Sequence, residues 1–331
     1  MAMFNLRSLL LASEFTEGRL GHKRKQVSGP ARVVAIGNFD GLHLGHLALL
    51  EELRVLQQTL AATGQGCLQT VLSFEPHPRV FFQPNQPPLK ILPFGTKVLC
   101  LKELGLDELA ILKFNRSLAS MTPEEFVHQV LVDELNAKAI VVGEDFRFGS
   151  KRSGSVKTLQ QMGERLGFQV KTVASVMHQQ ERVSSSLLRD VLQMANLPAY
   201  KDLTGRDYEL SGRVSYGRQL GRTLGFPTLN LVMPERLAIA GIFAVEVFGL
   251  QPSGPVRGVA SLGRRPTVEQ QGRNLLEVHL FDWSQTVYGK RVCVRLKSFI
   301  RAEQKFDDLE TMRLQMLQDM AEARDFLQKT N

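Results

Sequence analysis

Two rhythms of apolar positions divide the chain. In the first half, short apolar runs alternate with stretches whose apolar residues recur every three or four positions. Runs at 33–36, 68–74, 109–114, 139–142 and 168–173 read as strands, and 44–61, 95–104, 123–135 and 155–166 as helices between them. This alternation predicts a parallel α/β sheet with helices on both faces, whose ligands bind beyond the carboxyl ends of the strands. A helix over 184–194 closes the region, and Asn196-Leu197-Pro198 is expected to break it.

From Tyr208 the rhythm changes. Short apolar strands at 208–214, 228–231, 242–248, 256–261, 275–281 and 291–296 are separated by glycine and proline turns, which predicts an antiparallel barrel or sandwich. A final helix is expected over 309–328. No internal repeat relates the halves, so the sequence predicts two unlike domains, 1–196 and 203–331.

Composition narrows the function classes. Hydrophobic content of 43% and charged content of 22% are ordinary for a soluble globular protein. The formal charge of +8 fits a generally basic surface, nucleic acid or small anionic substrates. There is no lysine-rich arm and no RNA-binding fingerprint, and only 4 Tyr and 1 Trp could stack on bases, so small anions such as nucleotides fit better. Cys67, Cys100 and Cys293 lie far apart in apolar contexts, which suits thiols in a reducing compartment. The Leu9-Leu10-Leu11 patch is too short for a secretory segment, and no uncharged apolar stretch reaches membrane-spanning length. The expected location is the cytoplasm, with neither nucleic acid nor membrane as partner.

The densest chemistry follows the first strand, where residues 37–46 read Gly-Asn-Phe-Asp-Gly-Leu-His-Leu-Gly-His. A glycine turn opens a helix whose free N–H groups and dipole favour an anion. His43 and His46 fall in its first turn and can hydrogen-bond phosphate oxygens; the plainer alternative is that they cap or pack. Two further stretches lie near strand ends: residues 143–149, followed by Lys151 and Arg152, and Arg182-Val183-Ser184-Ser185-Ser186-Leu187-Leu188-Arg189. One serine of that run is needed as an N-cap; three serines between arginines suggest a second phosphate cradle. In the second half, Gly217, Gly221 and Gly225 make a loop that fits neither the Walker A nor the protein-kinase pattern. Thr228 and Asn230 would share one strand face, where a hydroxyl and an amide oxygen suit a hard cation holding phosphate. Glu277 and His279 alternate likewise; Glu277 is either a solvent-facing residue or a general base.

Jointly these residues resemble the bacterial bifunctional riboflavin kinase/FAD synthetases. The resemblance runs in order through Gly37–His46, Phe74-Glu75-Pro76-His77-Pro78, Gly143–Gly149, Ser184–Arg189, Gly217–Asn230, Gly258–Thr267, Leu276–Asp282 and Tyr288-Gly289-Lys290. It implies a Rossmann-like nucleotidylyltransferase domain followed by an antiparallel β-barrel riboflavin kinase domain with a terminal helix. It further implies that riboflavin, FMN and ATP are bound, with Mg²⁺, by a monomer or weak homo-oligomer. In the first site, His43, His46, Arg182 and Arg189 would be catalytic. Gly37, Asn38, Phe39, Asp40, Gly41, Gly45, Ser185 and Ser186 would cradle ATP. Phe74, Pro76, His77, Asp145, Phe146 and Phe148 would meet the flavin substrate, with Asp145 where several relatives have Asn. In the second site, Thr228 and Asn230 would hold Mg²⁺ and ATP phosphate, with Gly217, Gly221, Arg222 and Gly225 around the nucleotide. Glu277 would take the ribityl hydroxyl proton, and Arg301 would lie near the flavin end. Two alternatives remain: a nucleotidylyltransferase with a different acceptor, and a non-catalytic flavin- or nucleotide-binding regulator.

Overall fold

The computed structural model describes residues 8–12, 29–216, 228–233, 236–264 and 274–329, which fall into two units. The first holds the residues up to Pro88 together with Val98–Val183, and the second holds Leu89–Lys97 together with those from Ser184 onward.

In chain order the first part contains β1 (Ser8–Ala12), β2 (Ala31–Ile36), α1 (Leu44–Ala62) and β3 (Cys67–Glu75). The short α2 (Pro78–Phe82) and α3 (Phe94–Glu103) lead to β4 (Glu108–Lys113). Then come α4 (Arg116–Ser120), α5 (Pro123–Glu125), a π-helical stretch Phe126–Glu134 and β5 (Ala137–Gly143). A hairpin of β6 (Arg147–Phe148) and β7 (Gly154–Ser155) precedes α6 (Val156–Leu166) and β8 (Gln169–Val173), and a second hairpin pairs β9 (Met177–His178) with β10 (Glu181–Arg182). Six strands pair in parallel in the order β1-β4-β3-β2-β5-β8. β1 lies outside the predicted strands and joins the sheet by pairing with β4.

Alternation along β2 explains why the middle of this sheet is apolar throughout. Val34 and Ile36 join the cluster formed with the π-helical stretch and α6, while Val33 and Ala35, equally buried, point to the other face. Inside the sheet, Arg32 forms a buried ion pair with Glu108 at 2.6 Å, and Thr70 donates to the same carboxylate.

The second unit starts with α7 (Ser185–Gln193) and α8 (Leu197–Thr204). The expected break before Asn196-Leu197-Pro198 is there, since α7 ends at Gln193, but a new helix starts at once. Asn196 caps α8 by accepting from Ala199 N–H, and Pro198 sits in the first turn, where its missing N–H costs nothing. Then follow β11 (Tyr208–Arg213), β12 (Thr228–Val232), β13 (Gly241–Phe248), β14 (Val256–Arg264), β15 (Asn274–Leu280), β16 (Arg291–Arg301) and a C-terminal helix, Leu309–Lys329. The strands form one antiparallel sheet in the order β11-β16-β13-β14-β15-β12. Its two edges meet at a single bridge, Ser215 to Asn230, so the sheet curls toward the predicted barrel. The C-terminal helix seats Ala323 and Leu327 against Ala244 and Phe281. The Leu89–Lys97 segment is tied into this unit by Tyr208 Oη donating to Ile91 O at 2.7 Å and Ser211 N donating to Thr96 Oγ1. None of the three cysteines is in a disulfide: Cys67 and Cys100 are buried, and Cys293 is half-buried.

Candidate functional site

The turn after β2 is held tightly. Gly37 N donates to Leu72 O, and Ser73 Oγ donates to Asn38 O. Phe39 and Leu42 take left-handed backbone conformations and bury their side chains completely, while Asp40 is 7% exposed. His43 is the N-cap of α1, one position earlier than first-turn placement would have it, and its Nδ1 accepts from His46 N. The two imidazoles stack with centroids 3.7 Å apart, and Phe39 packs on His46. Gly45 leaves room for this stack, because a Cβ there would lie 3.1 Å from the His43 ring, which would have to shift. No acidic residue occupies the first turn of α1, so the helix end keeps its pull on anions.

Burial, with the Arg182 charge as a smaller cause, lowers the His43 pKa to about 4. The ring is therefore neutral at pH 7. Because Nδ1 is an acceptor, the proton sits on Nε2, which is left as a donor.

Other predicted residues of the first unit gather in two places. Phe74 meets Phe114 edge-on, and Phe81 and Phe82 of α2 complete an aromatic cluster in which Phe82 is 65% exposed. His77 caps α2, and Pro76 beside it is exposed. Phe81, Phe82 and Phe114 escaped the sequence reading, although two adjacent phenylalanines just past Phe74-Glu75-Pro76-His77 were a usable signal. In the 143–149 loop, Phe146 stacks on Phe148, but Phe148 itself is buried in the core. Asp145 accepts from Arg182 at 2.7 Å.

The serine run belongs to the second unit. Ser184 is the N-cap of α7, accepting from Leu187 N, so Ser185 and Ser186 occupy the first turn. Arg189 is buried and donates to Leu89 O and Ser185 O, which fixes the start of the helix.

Farther along this unit, β12 and β15 place the other predicted residues side by side. Asn230 lies directly opposite Glu277, and Thr228 opposite His279. Two-residue spacing on each strand turns all four side chains to one face. Asn230 is 3% exposed and its Oδ1 has no hydrogen-bond partner among the described residues. Ser261 of β14 flanks Glu277 on the other side and donates to Glu303 Oε1. His279 had been noticed but not assigned; Ser261 and Glu303 carry no local signal. Gly217, Gly221, Arg222 and Gly225 lie outside the described residues. Arg301 is locked to Asp319 by two hydrogen bonds of 2.7 and 2.8 Å, and a third goes to Ala302 O. Among the described residues no group of three or more His, Cys, Asp or Glu side chains could hold a metal, so a cation here would need oxygen ligands from elsewhere.

Comparison with known proteins finds two family models in order along the chain. The family model for FAD synthetase covers residues 25–187, and that for riboflavin kinase covers 204–327. The bifunctional riboflavin kinase/FMN adenylyltransferase of Escherichia coli (strain K12) is 37% identical over 92% of this chain and 96% of its own length. Its namesake from Haemophilus influenzae is 37% identical over 88% of this chain and 93% of its own length. A solved structure described as a macrolide-efflux protein from Streptococcus pneumoniae is 29% identical, with a TM-score of 0.72, covering 89% of this chain and 95% of that one. No helix among the described residues of this chain is long and apolar enough to cross a membrane. With both models matched in order and identity sustained over nearly the whole length, the chain belongs to the bifunctional riboflavin kinase/FMN adenylyltransferase family.

Proposed function

We propose that the protein makes FAD in two steps, each at its own site. Riboflavin and ATP give FMN and ADP within 203–331; FMN and ATP give FAD and pyrophosphate within 1–196. The observation that carries this reading is the pairing of Asn230 with Glu277 in one domain, in a chain whose other domain opens a helix on stacked His43 and His46.

In the kinase step, Glu277 accepts the proton of the ribityl 5′-hydroxyl as its oxygen attacks the γ-phosphorus of ATP, and ADP leaves. The buried, unpartnered Oδ1 of Asn230, with the Thr228 hydroxyl on the same face, fits one side of an Mg²⁺ shell completed by phosphate. When bound, Mg²⁺ neutralises phosphate charge. Gly217, Gly221, Arg222 and Gly225 enclose the nucleotide in this reading. Arg301 shapes the flavin end by fastening the chain after β16 to Asp319.

In the adenylyl step, a phosphate oxygen of FMN attacks the α-phosphorus of ATP, and the bond to the β-phosphate breaks. FMN already carries its nucleophile as an anion, so no base is needed. Neutral His43 donates from Nε2, and His46, Arg182 and the N–H groups of the α1 start add further stabilisation of the developing charge. Gly37, Asn38, Phe39, Asp40, Gly41 and Gly45 shape that turn. Phe74, Pro76, His77, Phe146 and Phe148 line or back the bed for the flavin, and Phe82 extends it.

We read the protein as cytoplasmic and as a monomer or weak homo-oligomer. Incubation with riboflavin, ATP and Mg²⁺, followed by flavin separation, should yield FMN and then FAD. Flavin binding without either product would favour the regulator instead.

A further inference from the structure

Arg182 is assigned above to the polyphosphate, yet its guanidinium is paired with a carboxylate. Nη2 donates to Asp145 Oδ2 at 2.7 Å, and the two side chains are 51% and 59% exposed. Both backbones are anchored. Arg182 lies in the β9–β10 hairpin, and Val183 N next to it donates to Val176 O. On the other side, Glu144 N donates to Val173 O, Phe146 N donates to Gly143 O, and the Glu144 carboxylate is held by Ser175 N. Only the two side chains need to move for the pair to open.

The energetics favour exchange. An exposed ion pair contributes about 0.2–1 kcal/mol, whereas a polyphosphate offers a guanidinium stronger, charge-assisted and bidentate contacts. Val183 O, one residue on from Arg182, lies 3.9 Å from where a Cβ on Gly45 would sit, which puts the Arg182 backbone beside the α1 start. The first turn of α1 contributes no competing carboxylate.

We propose that Asp145 is the resident counter-ion of Arg182: the triphosphate displaces it on binding, and it reclaims Arg182 as pyrophosphate leaves, so that Asp145 sets how tightly the polyphosphate is held. This rests on the adenylyl-transfer reading of residues 37–46, and it moves Asp145 from acceptor contact to control of the phosphate side.

Calorimetric titration of the full chain with magnesium pyrophosphate at fixed ionic strength tests it, using wild type, Asp145→Asn, Arg182→Gln, the double variant and His43→Ala. Asp145→Asn should bind about two- to fivefold tighter. Arg182→Gln should weaken binding and abolish the gain from Asp145→Asn. Unchanged or weaker binding by Asp145→Asn overturns the proposal. So does an equal gain in the Arg182→Gln background, since Asp145 would then act only as a general repulsive charge. If neither Arg182→Gln nor His43→Ala changes pyrophosphate affinity, the adenylyl-site reading itself falls, and the proposal with it.

Discussion

In the proposed adenylyl step His43 acts as a neutral donor, and this follows from two local facts. Its Nδ1 is occupied by His46 N–H, and burial makes the charged ring costly, with Arg182 adding to that cost. A neutral imidazole holds one proton fixed on Nε2, aimed by the cap geometry rather than by solvent. The ring should therefore titrate near 4 in the free protein, and a bound pyrophosphate should raise that value, because an anion favours the imidazolium. Histidine proton resonances followed against pH read both; a free-protein value near 6.5 would contradict the account. The sign for stability is set by the same shift. An unfolded chain protonates this histidine near 6.5 and the folded chain only near 4. His43 therefore contributes its full stabilising difference above pH 6.5 and loses it progressively as pH falls toward 4.

At the scale of elements, α2 builds the aromatic edge on which the proposed flavin bed rests. Phe81, Phe82 and Phe114 assemble edge-on around the end of β3, with Phe82 the most exposed. An offset or edge contact between aromatic groups contributes about 0.5–1.5 kcal/mol beyond simple burial. Phe82→Ala should raise the KM for FMN in adenylyl transfer about three- to tenfold. Phosphorylation of riboflavin should be untouched, and steady-state kinetics of the two conversions check both. An equal rise for riboflavin in the kinase step would refute the assignment.

What was legible in the sequence follows from the range of each interaction. The strands and the longer helices showed because apolar period is a local property, and Thr228/Asn230 and Glu277/His279 showed because two-residue spacing fixes a face. Local signals could not reveal that β12 and β15 would set Asn230 against Glu277, since register is decided by the whole sheet. Nor could they give Arg301 its partner Asp319, which the C-terminal helix supplies, or Asp145 its partner Arg182. Pro198 marked the end of one helix but not the start of the next, because a helix breaker is also a good helix starter.

At the scale of the molecule, two phosphate-handling sites on unlike architectures divide the chemistry of ATP. The parallel sheet offers a helix start and a neutral histidine pair, suited to charge developing at the α-phosphate as pyrophosphate leaves. The curled antiparallel sheet offers a carboxylate beside a hydroxyl and an amide oxygen, suited to deprotonating an alcohol for attack at the γ-phosphate. The product of the second architecture is the substrate of the first.

The most direct test measures each conversion separately in two variants, starting one set of reactions from riboflavin and another from FMN. Glu277→Gln should lose FMN formation from riboflavin by about 10²–10⁴-fold while converting supplied FMN to FAD at the wild-type rate. His43→Ala combined with His46→Ala should accumulate FMN from riboflavin normally and lose FAD formation by at least about 10²-fold. Loss of both conversions in each variant, or loss of FMN-to-FAD conversion in Glu277→Gln, would contradict the division of labour between the two sites.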